Sequence, residues 1–280
     1  MTDAISDQEL AEVVENLPPV SSVMQRLLSV LNDPLSEVSD IAKLVRVDTA
    51  LSAQILRLAN TPHFGLAEQV SSVDQAIQHV GVNEITRLVT TLGARQLFQK
   101  ALTRYKLPPH LVWTHTLAVA VGCEIVAERL MGDVDASYLA GVLHTVGYIA
   151  LDGIATARNL GPRPPSMPLR EWEEQNFGAD NSAVAARVLH YWKLPAVLVE
   201  AVADRYKEPT TETIVQPGGV LYTASFLAER VPAGLPPEAG LFEVPTKALE
   251  AFLVRPPEVK DFEYALRDRL SRLRSMLNLV

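Results

Sequence analysis

Two apolar segments occupy the middle of the chain: LVWTHTLAVAVGCEIVAERLM at residues 111–131 and SYLAGVLHTVGYIA at residues 137–150. Their length and the absence of strict alternation predict two neighbouring helices. Each segment carries one histidine, His115 or His144, and His144 is followed by Thr145. Polar side chains are uncommon inside such apolar helices. The two histidines therefore indicate either a hydrogen-bonded pair in the core or part of a site.

Helical spacing of apolar residues continues on both sides of these segments. The first hundred residues predict a bundle of about five helices. No stretch alternates as a half-buried strand does, so we predict an all-α protein. We expect an N-terminal helical bundle at residues 1–105, a second helical domain at residues 106–230, and a Pro-rich connection with an amphipathic C-terminal helix at residues 231–280.

The C-terminal helix carries an apolar stripe with a spacing of three and four residues. This spacing resembles that of a coiled coil, so a homodimer through this helix is possible. Short stripes of this kind are also common in globular helices, and packing within the chain is the favoured interpretation. The stripe consists of Val259, Phe262, Leu266, Leu270, Leu273, Leu277 and Val280.

Composition excludes several classes of protein. The 280 residues carry a net charge of −8, which disfavours general binding of nucleic acid. The single cysteine, Cys123, excludes an internal disulfide framework and is expected to be a buried apolar residue. No apolar run approaches the roughly 20 residues that cross a bilayer, and residues 1–10 lack the pattern of a secretion signal. We therefore expect a cytoplasmic protein without membrane contact.

Common catalytic motifs do not occur in the sequence. It contains no phosphate-binding loop, no GxGxxG turn, no GxSxG elbow and no HExxH pair. His115 and His144 could contribute to a metal site, but a hydrolytic site needs at least a third ligand. The nearest acids to His144 along the chain, Asp135 and Asp152, are not placed to supply one.

Segments spread along the chain resemble the HDOD domain family, in the same order. The resemblance extends over roughly residues 13–210. The matching segments are LPPV at 17–20, LNDP at 31–34, DTALSAQILRLAN at 48–60, VSSVDQAI at 70–77, WTH at 113–115, GVLH at 141–144, FGAD at 177–180 and WKLP at 192–195.

The resemblance implies an N-terminal helical bundle packed with a C-terminal HD-like helical bundle. HD phosphohydrolases bind divalent metal through histidines and aspartates on several helices. By resemblance, His115 and His144 take the first two histidine positions. Residues of other types take the remaining positions: Thr145 for the paired aspartate, Asn181 for a histidine, Asp204 near later histidines and Ser225 for the last aspartate.

These replacements remove the charge that a divalent ion requires. Thr145 and Ser225 keep their protons, and Asn181 offers only a carbonyl oxygen. We therefore expect no catalytic residue, no bound metal and no cofactor. The six positions instead define a vestigial groove that is a possible ligand or partner site: His115, His144, Thr145, Asn181, Asp204 and Ser225.

The resemblance implies a non-catalytic bacterial signal-transduction or regulatory protein. Its partner would be an unidentified signalling protein or a nucleotide second messenger. One alternative is an HD-type metal-dependent phosphohydrolase with a reduced metal site. A second alternative is a DNA-binding regulator, because residues 77–92 have the outline of a helix-turn-helix around Gly81. The second helix of this outline carries only Arg87 and Arg95 as cations, so a helical hairpin within a bundle is the favoured interpretation.

Overall fold

The computed structural model describes residues 4–16, 43–46, 48–61, 64–65, 69–252, 254 and 258–277. Among these residues the structure has thirteen α-helices with described ends, two 3-10 helices and no strand. The all-α fold class predicted from the sequence is therefore confirmed. The first two helices expected in the N-terminal bundle lie mostly outside the described residues. Residues 43–46, at the end of the second expected helix, are described and are helical.

The helices are numbered in chain order. They are α1 Asp7–Asn16, α2 Thr49–Ala59, α3 Val73–Val80, α4 Val82–Arg95, α5 Pro109–Leu130, α6 Val134–Leu143, α7 Val146–Ala157, α8 Leu169–Phe177, α9 Asn181–Tyr191, α10 Ala196–Ala203, α11 Pro217–Glu229, α12 Thr246–Glu250 and α13 Val259–Met276; the 3-10 helices are Gln96–Phe98 and Pro236–Glu238.

Contacts divide the chain into two compact units. The first comprises Met1–Leu17 and Leu97–Arg267, and the second comprises Pro18–Gln96 and Asp268–Val280. This division differs from the boundaries expected from the sequence at 105/106 and 230/231. The N-terminal segment belongs to the first unit because α1 packs against α7 and α9.

Helix α1 was not predicted, although its sequence contains a signal for it. Leu10 and Val14 are four residues apart and both are buried. Glu9 on the same helix accepts two hydrogen bonds from the guanidinium of Arg158, both at 2.7 Å. The spacing of the two apolar residues would have predicted this amphipathic helix.

Helix α5 forms the centre of the first unit, where it packs against α6 and α11. It is buried along most of its length because apolar residues occupy all of its faces. Small residues allow its neighbours to approach closely: a Cβ on Gly141 of α6 would lie 2.6 Å from the Cα of Ala120. Cys123 is buried here as expected, and burial raises the pKa of its thiol.

The single helix predicted at residues 137–150 is in fact two helices, α6 and α7, so that prediction was wrong. A hydrogen bond of the His144 side chain lies at this break. Nδ1 of His144 donates to the carbonyl oxygen of Gly141 at 2.7 Å. In a continuous helix that oxygen would accept from the N–H of Thr145. The bend places His144 and Thr145 between the two helices.

Among the described residues, two helical segments are long and apolar enough to cross a membrane, contrary to the expectation from the sequence. They are Pro109–Leu130 and Val134–Ala157, and 78% and 83% of their most apolar windows are buried inside the chain. The expectation failed because scattered polar residues interrupt every continuous apolar run in both segments. Core helices of globular proteins share this length and composition, and the burial of both segments matches that role.

The described part of the second unit contains α2, α3 and α4, which pack against one another. Asp48 caps α2 by accepting from the N–H of Leu51 at 2.9 Å. Asn60 ends the same helix, and its side-chain amide exchanges two hydrogen bonds with the backbone of Val70, at 2.8 and 2.9 Å. Gly81 separates α3 from α4 with φ of 93°, a conformation that favours glycine.

The C-terminal helix α13 is present at the predicted place. All six described residues of its apolar stripe are at most 8% exposed, so the stripe is buried within a single chain. Its seventh member, Val280, lies outside the described residues. A homodimer through this helix stays a prediction.

Candidate functional site

The structure buries five of the six predicted site residues inside the first unit. Their exposed fraction is 0% in every case. The rings of the two histidines are 5.3 Å apart between centroids and meet edge to face. The hydroxyls of Thr145 and Thr116 are 2.9 Å apart and form a hydrogen bond. The buried members are His115, His144, Thr145, Asn181 and Ser225.

Asp204, the sixth predicted residue, lies elsewhere. Its side chain is 49% exposed and forms an ion pair with Lys207 at 2.5 Å. It lines a surface groove of about 500 Å³ together with Glu200 and Glu208. The reason is its position at the end of α10, where the next residue, Arg205, turns inward instead.

A buried ion pair between Arg205 and Glu238 lies at the centre of the cluster. Nη1 and Nη2 of Arg205 donate to the two carboxylate oxygens at 2.7 and 2.8 Å, and both side chains are 0% exposed. The third nitrogen of the guanidinium, Nε, donates to the hydroxyl of Ser225 at 3.2 Å. This two-point geometry is the strongest form of a guanidinium–carboxylate pair.

Each charge of this pair shifts the pKa of the other group so that it stays ionised. Burial alone would raise the pKa of Glu238, but Arg205 and His115 hold it well below its ordinary value. Burial alone would lower the pKa of Arg205, but Glu238 raises it above its ordinary value. Both groups are therefore ionised at neutral pH, and each depends on the other for charge compensation.

The two histidines border this pair from α5 and from the α6–α7 bend. Nδ1 of His115 donates to the carbonyl oxygen of Ala233 at 3.0 Å. Its Nε2 lies 3.3 Å from Oε2 of Glu238 without hydrogen-bond geometry. Burial, followed by the charge of Arg205, lowers the pKa of His144 well below its ordinary value, and its Nε2 has no hydrogen-bond partner.

Two tyrosines fill the space around the pair. The hydroxyl of Tyr148 donates to Oε1 of Glu238 at 2.5 Å. The hydroxyl of Tyr206 lies 3.4 Å from the same oxygen and accepts from the side-chain amide of Asn181 at 3.0 Å. Side chains therefore fill the place where the groove was predicted. Burial raises the pKa of both tyrosines.

A second buried carboxyl, Glu173 of α8, adjoins the cluster and was missed by sequence reasoning. It accepts from the backbone N–H and side-chain amide of Asn181 at 2.8 and 2.9 Å. It also accepts from the hydroxyl of Tyr105 at 2.9 Å. Burial raises the pKa of Glu173 to about 8, although these hydrogen bonds act in the opposite direction.

Glu173 is expected to make the folded protein less stable as the pH rises toward 8. An unfolded chain releases this proton near pH 4.5, whereas the folded chain holds it to about 8. Between these values the unfolded state binds fewer protons, so the free energy of unfolding falls by at most about 1.4 kcal/mol per pH unit.

The decline is best measured above pH 6.5, the ordinary pKa of His144, whose lowered pKa has the opposite effect below that pH. Urea unfolding from pH 6.5 to 8 should show the decline in the native chain. Glu173→Gln should remove it. Parallel pH curves for the two proteins would contradict the assignment.

The cluster does not fit a divalent metal ion. Within the described residues, no group of three or more His, Cys, Asp or Glu side chains is placed to hold one. Nε2 of His144 is buried without a hydrogen-bond partner, so its lone pair could bind a metal. The guanidinium of Arg205, however, lies close enough to lower the pKa of this imidazole. Thr145 and Ser225 carry no charge. The positive charge that a metal would bring is supplied by Arg205.

His115 and His144 were predicted from the sequence as site residues. Arg205 and Glu238 were not. Arg205 directly follows Asp204, and either residue could have been the inward one. Glu238 lies in the Pro-rich connection, 33 residues further along the chain. No local pattern pairs two residues at that separation, and charged residues are rarely expected at zero exposure.

The family follows from a comparison with known protein families. The pattern of the HDOD domain matches residues 17–208 of this chain. The chain belongs to the HDOD domain family. HDOD domains are related to HD phosphohydrolases. This agrees with the closeness of His115 on α5 and His144 directly after α6. The match ends before Glu238, so that residue lies beyond the family pattern.

Solved structures share the HDOD fold. A candidate signal transduction protein of Marinobacter aquaeolei VT8 has a TM-score of 0.71 at 20% identity, over 97% of this chain and 65% of that one. An HDOD domain protein of unknown function from Geobacter sulfurreducens has a TM-score of 0.66 at 20% identity, over 94% and 97%. A candidate phosphohydrolase of Shewanella amazonensis SB2B has a TM-score of 0.61 at 21% identity, over 92% and 98%.

Some relatives are longer than this HDOD chain. An uncharacterized protein of Treponema pallidum (strain Nichols) is 24% identical over an alignment of 212 residues. The alignment covers 71% of this chain and 39% of that protein. The chain thus spans well under half of that relative.

Proposed function

We propose that this HDOD chain is a non-catalytic regulatory protein of bacterial signalling that acts by binding. The observation that carries the proposal is the buried pair of Arg205 and Glu238. It lies among the residues that the family resemblance assigns to the metal positions. A fixed guanidinium there takes over the charge of the ion but cannot activate water as a metal does.

The binding partner is proposed to be a signalling protein or a nucleotide second messenger in the cytoplasm. Nucleic acid is disfavoured, because the chain has a net charge of −8. Arg87, one of the two cations in the helix-turn-helix outline, also lies 3.5 Å from the carboxylate of Glu84. The alternative of a reduced phosphohydrolase has the relation to HD enzymes in its favour and is decided by experiment.

The deciding experiment measures metal and turnover together. The tag-free protein is incubated with manganese, iron or zinc, desalted, and analysed for metal by mass spectrometry. We expect no stoichiometric retention, and no hydrolysis of phosphodiester or nucleotide substrates above buffer. The matched variants are His115→Ala and His144→Ala. Metal or activity present in the native chain and lost in both variants would overturn the proposal.

A further inference from the structure

Glu238 is held in the way that a bound anion would be held. Its carboxylate receives both Nη groups of Arg205 and the hydroxyl of Tyr148, within 2.8 Å in each case. The groups around it belong to the helical frame: His115 lies on α5, Tyr148 on α7, and Arg205 is the second residue after the end of α10. Glu238 itself ends a three-residue 3-10 helix, Pro236–Glu238.

The segment that carries Glu238 is attached by side chains and not by regular backbone pairing. We call residues 231–244 the strap. The N–H of Gly240 donates to the carboxylate of Glu229 at 3.1 Å, and the N–H of Glu243 donates to the hydroxyl of Tyr222 at 3.1 Å. Both acceptors lie on α11. The strap can therefore open without breaking hydrogen bonds inside the long helices.

A buried aromatic contact keeps the strap closed. Phe242 of the strap stacks on Tyr206, with 5.5 Å between ring centroids and 26° between planes. The guanidinium of Arg205 lies over the same phenylalanine ring, 5.2 Å from its centroid. Opening the strap would uncover this side of the guanidinium and remove its carboxylate partner together. The cation would then need another oxyanion.

We propose that Arg205, His115, Tyr148 and Tyr206 form an oxyanion-binding site that Glu238 occupies internally, and that a ligand with a phosphate or carboxylate group displaces the strap. A guanidinium fork fits either group through two parallel hydrogen bonds. The inference rests on the proposed function, because it gives the former hydrolase site a binding role. Ligand affinity is reduced by the population of the closed strap, and displacement of the strap is the signal.

The first test frees the site by Glu238→Ala. Thermal unfolding is followed with sodium phosphate, sodium acetate or sodium chloride at equal ionic strength, with a metal chelator present. We expect saturating phosphate or acetate to raise the Tm of this variant by about 5 °C or more relative to chloride. A larger rise with phosphate assigns a phosphate-bearing ligand, and a larger rise with acetate assigns a carboxylate ligand.

The matched control is the double variant Arg205→Met with Glu238→Ala, which lacks the cation. Any rise in Tm that phosphate or acetate causes in this double variant is the general effect of these salts on protein stability, so the site is measured by the additional rise in the single variant. If the single variant shows no greater response than the double variant, the oxyanion site does not exist. Because the chelator removes metal and no turnover is measured, this failure is distinct from a failure of the proposed function.

The second test uses the native chain and so does not depend on how the variants fold. Hydrogen exchange of the Gly240 and Glu243 amides reports whether the strap is closed. We expect both amides to exchange faster in phosphate or in acetate than in chloride at equal ionic strength, while amides in the middle of α5 stay unchanged. Equal exchange at the highest oxyanion concentration would mean that Glu238 is a permanent structural partner, and the inference would be wrong.

Discussion

Replacing Arg205 with methionine is expected to lower the free energy of unfolding by about 3–5 kcal/mol. The change leaves the carboxylate of Glu238 at 0% exposure without its guanidinium, and it removes the donor to Ser225. For a chain of this size, about 2–4 °C of Tm corresponds to 1 kcal/mol, so the Tm should fall by about 10 °C. Urea and thermal unfolding at neutral pH measure both quantities.

Two further variants show whether the loss comes from the buried charge. Lys207→Met breaks an exposed ion pair only two residues away, with Asp204, and should change stability by no more than about 1 kcal/mol. The double variant Arg205→Met with Glu238→Gln has no unpaired buried carboxylate at residue 238. Part of the lost free energy of unfolding should therefore return. Equal losses for Arg205→Met and Lys207→Met would show that the buried pair has no special role.

Gly147→Ala is expected to destabilise the protein by about 3 kcal/mol or more. A Cβ at this position would lie 1.9 Å from the carbonyl oxygen of Asn181 and 2.9 Å from the backbone N of Ala185. Both atoms belong to the backbone of α9, so relief requires α7 and α9 to move apart. That movement would also shift Tyr148, the next residue, away from Glu238.

The control for this variant lies on the same helix. A Cβ at Gly153 would meet only the side chain of Val13, at 2.9 Å, which can move with α1. Gly153→Ala should therefore stay within about 1 kcal/mol of the native chain, since alanine also favours the helix. Soluble yield and urea unfolding of the two variants give the comparison. A small effect at Gly147 would mean that α7 and α9 are less tightly packed than the structure indicates.

Much of the fold could be predicted from local patterns, because helix starts and apolar spacing are local properties of a chain. The long helix α5 and the C-terminal stripe were predicted in this way. The break between α6 and α7 was not, and there the imidazole of His144 takes the carbonyl oxygen of Gly141 as its partner. A histidine in an apolar helix does not reveal that acceptor before the chain has folded.

The helical class, the family resemblance and the uncharged residues Thr145, Asn181 and Ser225 are visible in the amino-acid sequence alone. The charged pair that lies beside them becomes visible only in the folded chain. Arg205 and Glu238 are 33 residues apart, and each would be expected at the surface if considered alone. Their burial is favourable only when both are present with matched geometry, because an isolated charge in the core is too costly. A property of two distant residues together cannot be predicted from either one.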